Sequence, residues 1–506
     1  MYDFGKRIIA AAMTAALMLP LTSCGEAGTA SLQGEQAVRI DAAPSDVTAA
    51  ETEAAEERVK PDLPDTDWGG MTFTALGHMH PTYSQFDNFE IYAEAENGEV
   101  VNDSIYQRNR ALEEKYNVKI AAVLDLDQNN LLKNATAAGD QIYDLFFSPI
   151  RETAVNITSG YLLDLNKVPY LDFSKPWWNE EVNEELSLWG RLFMTTSDFA
   201  LEDKKRTYIL GFNRDLAKDF GLDDVIPHVD DGTWTIDLMT DMVKTVSSDL
   251  DGDGVMTDKD RYGLTMDSYI SFANFTRGCD VSIITANDDG SNEITVNNSR
   301  TAAALEKIIA LTCDTNQAVF CDDQYGKVDY DHWSYAANVF TAGNGLFITA
   351  FPQSLPNWSA KCEFDYGVVP NPKMDESQEK YCSFPDSVGS TLMGIPIICQ
   401  NKDFSGFMLE ALSAEGKYTS LPAYIETSCK TKYTYDEASG LMLDLIFQNL
   451  SYDIGIIFDI GGLYSIFSVD IPKKKENLFA SSYAKKESKA IKALDKLEGQ
   501  IAEIEG

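Results

Sequence analysis

The chain has 506 residues, of which 44% are hydrophobic and 11% aromatic, and it carries a formal net charge of −39. A chain of this length and apolar content can form two or three domains with their own hydrophobic cores. The acidic balance argues against nucleic-acid binding, because contact with a phosphate backbone needs a basic surface. It also disfavours charge-driven docking on anionic lipid headgroups, and it is compatible with an exported, soluble protein that binds neutral ligands.

The N-terminus has the pattern of an export signal. Lys6 and Arg7 precede an apolar stretch from residue 8 to residue 21, which is short for a membrane-spanning helix and typical of a signal peptide. The sequence LTSC that follows resembles the lipobox of bacterial lipoproteins. We therefore predict a lipoprotein signal peptide over residues 1–23 and a lipid anchor on Cys24, at the extracellular face of the cell membrane. The alternative is an ordinary signal peptide followed by a chance cysteine.

Residues 24–67 are predicted to form a disordered acidic tether. From residue 25 to residue 67 there is no aromatic side chain, and Ala, Thr, Glu and Asp dominate. Such a segment cannot bury enough apolar surface to offset its conformational entropy. A tether after a lipidated cysteine would let a folded body stand away from the membrane.

The folded body begins with alternating strands and helices. A strand is predicted over 71–76, a helix over about 102–116 with a strand after it, and an apolar strand over 143–147 that ends at Ser148. A second strand and helix appear in RTYILGFNRDLAKDFGL. This succession predicts an α/β fold with parallel strands, whose ligands bind at the carboxyl ends of the strands.

An acidic loop in the middle of the chain has the residue spacing of a calcium loop. The sequence DLDGDGVMTDKD places oxygen ligands at the required positions, with the carbonyl of the seventh residue among them; the residues are Asp249, Asp251, Asp253, Val255, Thr257 and Asp260. The last position holds Asp where a calcium loop has Glu, and RYGLTMDSY after it does not predict an exiting helix. We therefore predict a structural Ca²⁺ site rather than a sensor; an acidic turn without metal is the alternative.

Several motifs occur in an order that is known from one protein family. They include RNRALEEKYNVKI, YDLFFSP, ILGFNRDLAKDFGL, FTAGNGLFITAFPQ and DYGVVPNPK. In this order they resemble an extracellular solute-binding protein, family 1, of a bacterial ABC importer, the maltodextrin-binding-like class. The resemblance covers about residues 65–470.

The resemblance implies a two-lobed, periplasmic-binding-protein-like fold of type II, with an interlobe hinge and the ligand between the lobes. By resemblance, lobe one comprises residues 68–206 and 347–388, and lobe two comprises residues 207–346 and 389–470. Residues 471–506 would form a C-terminal helical tail. Closure of the lobes would be a hinge motion, and the membrane permease would recognise the closed form.

Sugar-binding clefts combine aromatic faces with planar polar groups, so the candidate ligand contacts are of these two kinds. One set lies in the sequences SKPWWNEE, DYDHWSY and AFPQSL, and consists of Trp177, Trp178, Trp333, Phe351 and Gln353. A second set, at predicted strand ends or crossovers, consists of Ser148, Arg151 and Asp386. For each aromatic residue, packing in the hydrophobic core is the alternative.

No catalytic motif is found. The chain has four histidines and lacks the HExxH, GxSxG, P-loop and GxGxxG patterns. We predict a monomeric, non-enzymatic protein that captures a small solute, an oligosaccharide by preference, for an ABC permease. The alternatives are presentation of the ligand to a membrane sensor kinase, or a glycoside hydrolase, whose two carboxylates could not be recognised among 80 acidic residues.

Overall fold

A computed structural model of the chain describes residues 58–80, 87–426 and 437–504. The predicted signal peptide, residues 1–23, and the predicted lipidation site Cys24 lie outside these ranges. In the described ranges, no helix is both long enough and apolar enough to cross a membrane.

The β-strands are short, and most are buried along their whole length. They are β1 (Met71–His78), β2 (Val118–Asp125), β3 (Leu145–Pro149), β4 (Ile209–Asn213), β5 (Tyr262–Met266), β6 (Ile284–Ala286), β7 (Asn292–Ile294), β8 (Ala318–Phe320), β9 (Gly345–Ala350), β10 (Tyr366–Val369) and β11 (Thr391–Gly394). Strands buried on both faces are typical of sheets covered by helices on each side.

The helices alternate with these strands, and several begin at a side-chain cap. Asn298 and Asn401, for example, each accept a hydrogen bond from a backbone N–H of the first turn that would otherwise be unpaired. The helices are α1 (Val100–Tyr116), α2 (Gln128–Ala138), α3 (Ile150–Thr158), α4 (Glu180–Glu185), α5 (Glu202–Lys205), α6 (Arg214–Asp219), α7 (Ile226–Asp230), α8 (Ile236–Val246), α9 (Ile270–Gly278), α10 (Ser299–Thr312), α11 (Tyr335–Thr341), α12 (Leu355–Lys361), α13 (Lys402–Tyr418), α14 (Ser420–Pro422), α15 (Glu437–Gln448), α16 (Ile454–Ile457), α17 (Ile471–Lys474) and α18 (Phe479–Glu503).

Lobe one is built around a four-stranded sheet with the order β11-β3-β1-β2. The strand β1 is parallel to β2 and β3, whereas β11 runs antiparallel to β3. The helix α13 packs on this lobe through aromatic contacts: the ring of Phe404 lies 6.1 Å from that of Phe73 in β1, and the ring of Phe407 lies 4.8 Å from that of Tyr116 at the end of α1. The segment after β10 therefore returns to lobe one.

Lobe two is built around a five-stranded sheet with the order β10-β4-β9-β5-β8. Here β5 is parallel to β8 and β9, while β4 is antiparallel to both β9 and β10. The indole of Trp234 is fully buried beside this sheet, 5.6 Å from the ring of Phe347 in β9.

Three short segments cross between the lobes side by side and form the hinge. The first two pair antiparallel, with Tyr208 N donating to Phe384 O at 3.1 Å and Asp386 N donating to Arg206 O at 2.9 Å. The third runs parallel to the second, since Ser383 N donates to the carbonyl of residue 449 and the N–H of residue 451 donates to Ser383 O, each at 2.9 Å.

This path corrects the predicted division into lobes. Residues 347–388 were assigned to lobe one, but β9 and β10 are partners of β4 in the sheet of lobe two. Residues 389–470 were assigned to lobe two, but β11 at Thr391–Gly394 is the edge strand of the sheet in lobe one. The reason is that strand order within a sheet depends on pairing between segments distant in sequence, which the order of motifs along the chain does not contain.

The end of the predicted tether is also corrected. Within 24–67, residues 58–67 are described, and they contact the folded body rather than leaving it. Arg58 forms an ion pair with Glu415, and the amide of Asn117 donates to Asp67 at 2.7 Å. These polar contacts order a segment whose composition contains too few apolar residues to predict burial.

The predicted packing of the C-terminal tail as a helix is confirmed by α18. Leu497 and Ile501 are buried, and Leu494 and Ile504 are half-buried, whereas Ile491 is exposed. The helix comes very close to the segment before it: a Cβ added to Gly461, which has a φ of 61°, would lie 2.4 Å from the Cα of residue 490. Only glycine accommodates both this approach and this backbone angle.

Candidate functional site

A cavity of about 600 Å³ lies at the carboxyl ends of two parallel strands in lobe two. The strands β5 and β9 end at Met266 and Ala350, and the chain continues into Asp267 and Phe351, which both line the cavity. Its other polar and aromatic lining residues are Lys205, Trp333, Thr349, Gln353, Ser354, Asn357 and Trp358. The position agrees with the general rule that α/β sheets bind ligands beyond the carboxyl ends of their strands.

A second cavity of about 430 Å³ adjoins the first and shares Lys205 and Gln353 with it. One wall comes from lobe one, where Phe89, Tyr92 and Asn102 precede or begin α1. The opposite wall comes from the turn around Pro352 at the start of α12 in lobe two. The two cavities together form a cleft between the lobes.

Lys205 stands where the two cavities meet, one residue before the first hinge segment. Its Nζ lies 3.1 Å from Oε2 of the buried Glu202 and 4.9 Å from the ring centroid of Phe89. Burial raises the pKa of Glu202 well above its usual value, the charge of Lys205 opposes that shift, and the nearby carboxylate of Glu90 adds to it. The ion pair and the cation–π contact hold the ammonium group at the wall of the cleft.

The hinge next to the cleft contains a buried group of charged and aromatic side chains. The guanidinium of Arg206 forms an ion pair with Asp386 and lies 5.1 Å from the ring of Phe351. This ring lies in turn 4.6 Å from that of Tyr208. A Cβ added to Gly389 would lie 1.9 Å from Nε of Arg206. Any larger residue at position 389 would therefore collide with the arginine side chain.

Asp267, at the end of β5, is the carboxylate at the floor of the larger cavity. Burial raises its pKa to about 6, and hydrogen bonds from the hydroxyls of Ser271 and Thr349 act in the opposite direction. A carboxylate held in this way can accept hydrogen bonds from ligand hydroxyl groups above that pH.

Three of the predicted ligand residues line this cleft. Trp333 and Phe351 line the larger cavity, and Gln353 lines both. The side chain of Trp333 is 53% exposed. The Oε1 atom of Gln353 is buried and has no hydrogen-bond partner among the described residues, although a buried amide oxygen ordinarily has one. The sequence motif AFPQSL therefore contributes two side chains, Phe351 and Gln353, to the lining of the cleft.

The predicted tryptophan pair lies elsewhere. Trp177 and Trp178 are buried in lobe one, and both indole N–H groups donate to Glu410, at 3.2 and 3.0 Å. Burial raises the pKa of Glu410 to about 7, and the indole hydrogen bonds partly offset that rise. Their packing in the core means that neither ring faces the cleft, so the prediction is corrected for these two residues.

The three predicted polar contacts also have other roles. Asp386 is buried in the hinge, where it pairs with Arg206 and accepts hydrogen bonds from the N–H groups of residues 388 and 389. Ser148 is buried and accepts a hydrogen bond from Asn156. Arg151 is exposed on α3, with its guanidinium 6.0 Å from the ring of Tyr464. None of the three lines the two cavities.

Sequence reasoning missed Lys205, Asp267 and the residues that lobe one supplies to the smaller cavity. Lys205 lies in LEDKKRTY, where a charged helical turn has no pattern that distinguishes it from a solvated one. Its closeness to the predicted boundary between the lobes, at residues 206 and 207, was the available signal. Asp267 follows directly after the β-forming residues of β5, and that position could have singled it out.

The acidic loop brings three of its predicted ligands together. The carboxylates of Asp249, Asp251 and Asp253 each offer an oxygen within 4.8 Å of the others. Both oxygens of Asp249 accept hydrogen bonds at 2.7 Å, from the N–H groups of residues 252 and 254. Val255 N donates to Asp253 at 2.7 Å.

Asp260 is not part of this group of carboxylates. It is buried and accepts hydrogen bonds from Leu250 N and Thr257 N, both at 2.8 Å, and from the hydroxyl of Thr257 at 3.0 Å. Burial alone would raise its pKa, but these hydrogen bonds outweigh it and lower the pKa below its usual value. The chain then enters β5 rather than a helix, which confirms that the loop lacks the second helix of a sensor.

Comparisons with known proteins identify the fold. Neither a family model nor a curated protein matches the sequence. Among solved structures, the chain is similar to a cyclo/maltodextrin-binding protein in complex with maltotetraose, at 13% identity over 87% of this chain and 98% of that chain, with a TM-score of 0.52. It is also similar to an ABC substrate-binding protein from Listeria monocytogenes in complex with cycloalternan, at 13% identity, 85% and 98% coverage, and a TM-score of 0.50.

A third similar structure is a cyclic α-maltosyl-1,6-maltose binding protein from Arthrobacter globiformis, at 15% identity over 86% of this chain and 99% of that chain, with a TM-score of 0.50. At such identities the likeness concerns the fold. The chain has the two-lobed type II fold of periplasmic binding proteins.

Proposed function

We propose that the protein is a substrate-binding lipoprotein that captures an oligosaccharide outside the cell and delivers it to an ABC permease. The observation that carries this proposal is the cleft between the lobes, where Trp333, Phe351 and Gln353 meet Lys205 and Asp267. The structural neighbours support it, since two of them are complexes with maltotetraose and with cycloalternan.

The composition of the cleft suits a sugar. An exposed aromatic face such as that of Trp333 can cover the apolar side of a pyranose ring, and polar side chains fix the hydroxyl groups. Gln353 has a buried oxygen that no described residue satisfies, and a ligand hydroxyl would satisfy it. Lys205 and Asp267, which line the same cavity, offer a donor and an acceptor.

Capture would proceed by closure about the hinge. The smaller cavity has walls from both lobes, so a ligand that fills it contacts both and favours the closed arrangement. Since the lobes are joined by three crossing segments that lie side by side, rotation about these segments moves the walls without breaking either sheet. The permease would then distinguish the closed form from the open one.

We propose the remaining features on the sequence alone. Cys24 would carry the lipid that anchors the protein at the extracellular face of the cell membrane, and the protein would act as a monomer without catalysis. A Cys24→Ala variant should be released into the medium, which fractionation of expressing cells would measure. Retention of this variant in the membrane would contradict the anchor.

We also propose that the acidic loop holds a structural Ca²⁺ ion. Asp249, Asp251 and Asp253 would supply carboxylates, Val255 its carbonyl, and Thr257 a ligand through water, in the order that a calcium loop requires. Asp260, at the last position, would exchange some of its backbone hydrogen bonds for the ion. The three carboxylates that lie close together support the proposal, and a rise of the unfolding midpoint with Ca²⁺ would test it.

Thermal unfolding of the purified protein against a panel of oligosaccharides, each with Ca²⁺ or with chelator, tests the proposed function. A ligand that binds only the folded state raises the midpoint in a concentration-dependent way. We expect one class of glycan to do so without being cleaved, as chromatography of the recovered sugar would show. If no sugar shifts the midpoint, the carbohydrate ligand is wrong; if the sugar is hydrolysed, the non-catalytic role is wrong.

A further inference from the structure

Aromatic side chains continue outward from the larger cavity onto the protein surface. We name Tyr325, His332 and Trp333 the outer aromatic strip. Tyr325 is 78% exposed, the highest value among the large hydrophobic side chains of the described ranges, and it does not line either cavity of the cleft. Trp333, at the other end of the strip, lines the larger cavity.

The rings of the strip are in contact with one another. The ring centroids of Tyr325 and His332 are 5.1 Å apart in an edge-on arrangement, and those of His332 and Trp333 are 4.4 Å apart. The strip therefore runs without interruption from the cavity lining to the exposed ring of Tyr325. A ligand chain leaving the cavity past Trp333 would meet His332 and Tyr325 next.

The segment that carries the strip is held by specific bonds, so its rings are presented in a defined arrangement. The hydroxyl of Tyr330 donates to Asp258 at 2.8 Å, and Asp331 accepts a hydrogen bond from Trp333 N at 3.3 Å. Immediately after Trp333 the chain enters α11, whose first residue, Tyr335, is fully buried. These anchors lie on both sides of His332 and Trp333 in sequence. The turn before Tyr325 is held separately, since Asp322 accepts a hydrogen bond from Tyr269 N and Asp323 accepts one from the Tyr269 hydroxyl, both at 2.7 Å.

The exposed rings of Tyr325 and Trp333 are joined by the ring of His332, which is less exposed and contacts both. Single hydrophobic residues on a surface are ordinary, whereas contiguous apolar groups beside a cleft mark binding surfaces. Each aromatic face left in water forgoes the free energy of burial, which grows with the apolar surface removed from water. A ligand that recovers this free energy must be able to reach from the cavity to the strip.

We propose that the outer aromatic strip is a second glycan subsite, which binds the sugar units of a long oligosaccharide that protrude from the cavity. This inference rests on the proposed function and makes it more specific: the preferred ligand is a chain longer than the cleft encloses. Units inside the cleft contact Trp333, Phe351 and Gln353, and units outside it stack on Tyr325. Tyr325 thus selects for ligand length without touching the enclosed units.

Titration calorimetry with linear maltooligosaccharides, from the disaccharide to the heptasaccharide, tests this subsite. For the unaltered protein we expect affinity to rise with length beyond the units that the cleft holds. Tyr325→Ala should weaken binding of the longest sugars by about tenfold, the loss expected for one aromatic stacking contact, and should leave the shortest unchanged. Trp333→Ala should weaken binding of every length.

Phe220→Ala is the matched control, because Phe220 is an exposed aromatic residue that lines neither cavity. It should leave all affinities unchanged. If Tyr325→Ala has the same affinity as the unaltered protein at every length, the subsite is wrong while the proposed function stands. If none of these sugars binds the unaltered protein, both the subsite and the maltooligosaccharide form of the proposed function fall.

Discussion

Lobe one and lobe two each contain a tryptophan segment close to polar side chains, but the surroundings of the rings are opposite. In lobe one, Trp177 and Trp178 are buried and both donate to Glu410. In lobe two, Trp333 is about half exposed at the lip of a cavity. The first arrangement satisfies its polar atoms internally and contributes stability, whereas the second leaves an aromatic face available to a ligand.

The difference shows that an aromatic residue in a sequence predicts function only when its partners are known. A buried indole needs an acceptor for its N–H, and the carboxylate of Glu410 serves two at once. An indole whose face stays exposed can bond to water, so it needs no acceptor from the protein. The free energy of burying that face is gained only when a ligand covers it. Substitutions in the two segments should therefore separate stability from affinity.

The largest expected effect is on the stability of lobe one. Glu410→Ala removes the acceptor of two buried indole N–H groups, and each unpaired buried donor costs about 1–3 kcal/mol. We expect the free energy of unfolding to fall by about 3 kcal/mol or more, measured by denaturant titration, with ligand affinity unchanged below the transition. Glu410→Gln, which keeps an acceptor oxygen, is the control and should lose less.

The next largest effect concerns affinity. Trp333→Ala removes the aromatic face at the cavity lip, and we expect binding of the captured sugar to weaken about tenfold to a hundredfold, or about 1.4–2.8 kcal/mol. The free energy of unfolding should change by less than about 0.5 kcal/mol, as is usual for exposed positions. Calorimetry and denaturant titration of the same preparation check both values. A large loss of stability with unchanged affinity would reverse the roles assigned to the two segments.

Stability should depend on pH through Glu410. Burial raises its pKa in the folded protein from the ordinary value of 4.5 to about 7, so between these pH values the folded state binds more protons than the unfolded state. The free energy of unfolding should therefore fall as the pH rises through this window, with a slope of up to about 1.4 kcal/mol per pH unit from this group.

Unfolding of Glu410→Gln across the same pH range measures the contribution of that carboxyl group. Because burial also raises the pKa of Glu90 to about 7 and that of Asp267 to about 6, some slope of the same sign should remain in the variant. An unchanged slope in Glu410→Gln would mean that Glu410 does not titrate in this window.

The smallest expected effect links the acidic loop to the segment of Trp333. Tyr330→Phe removes the hydrogen bond from the Tyr330 hydroxyl to Asp258, worth about 1 kcal/mol of stability. We expect the midpoint of thermal unfolding to fall slightly and affinity to weaken a few-fold, because the anchor of the segment is lost. Tyr262→Phe, a hydroxyl deletion at a buried tyrosine of β5, provides a comparison that should change stability without changing affinity. Equal changes of affinity in both variants would argue against the anchor.

Much of the fold could be predicted because it depends on local patterns. The apolar run LFFS and the strand after Arg206 appear as strands β3 and β4, and the periodic apolar residues of the tail form α18. The absence of a helix after the acidic loop follows from β-forming residues around Gly263, which begin β5. In each case the information lies within about ten neighbouring residues.

The predicted division into lobes was wrong because it depends on long-range pairing. The sequence GLFITA in β9 has the composition of a buried strand, but its composition does not predict that its neighbours in the sheet are β4 and β5. The predicted ligand residues were partly right and partly wrong for the same reason. Trp333, Phe351 and Gln353 line the cleft. Trp177 and Trp178 are instead packed against Glu410, which is more than two hundred residues away in sequence.

The sequence by itself determined the α/β class, the order of the elements and the spacing of carboxylates in the acidic loop, since hydrophobic periodicity and short-range spacing express these directly. Only the tertiary structure decided which aromatic faces remain exposed and which segments form the hinge. The physical reason is that burial of an indole or a carboxylate depends on partners brought close by the folded chain. Lys205 lines the cleft, and Asp386 pairs with Arg206, only because the hinge segments lie side by side.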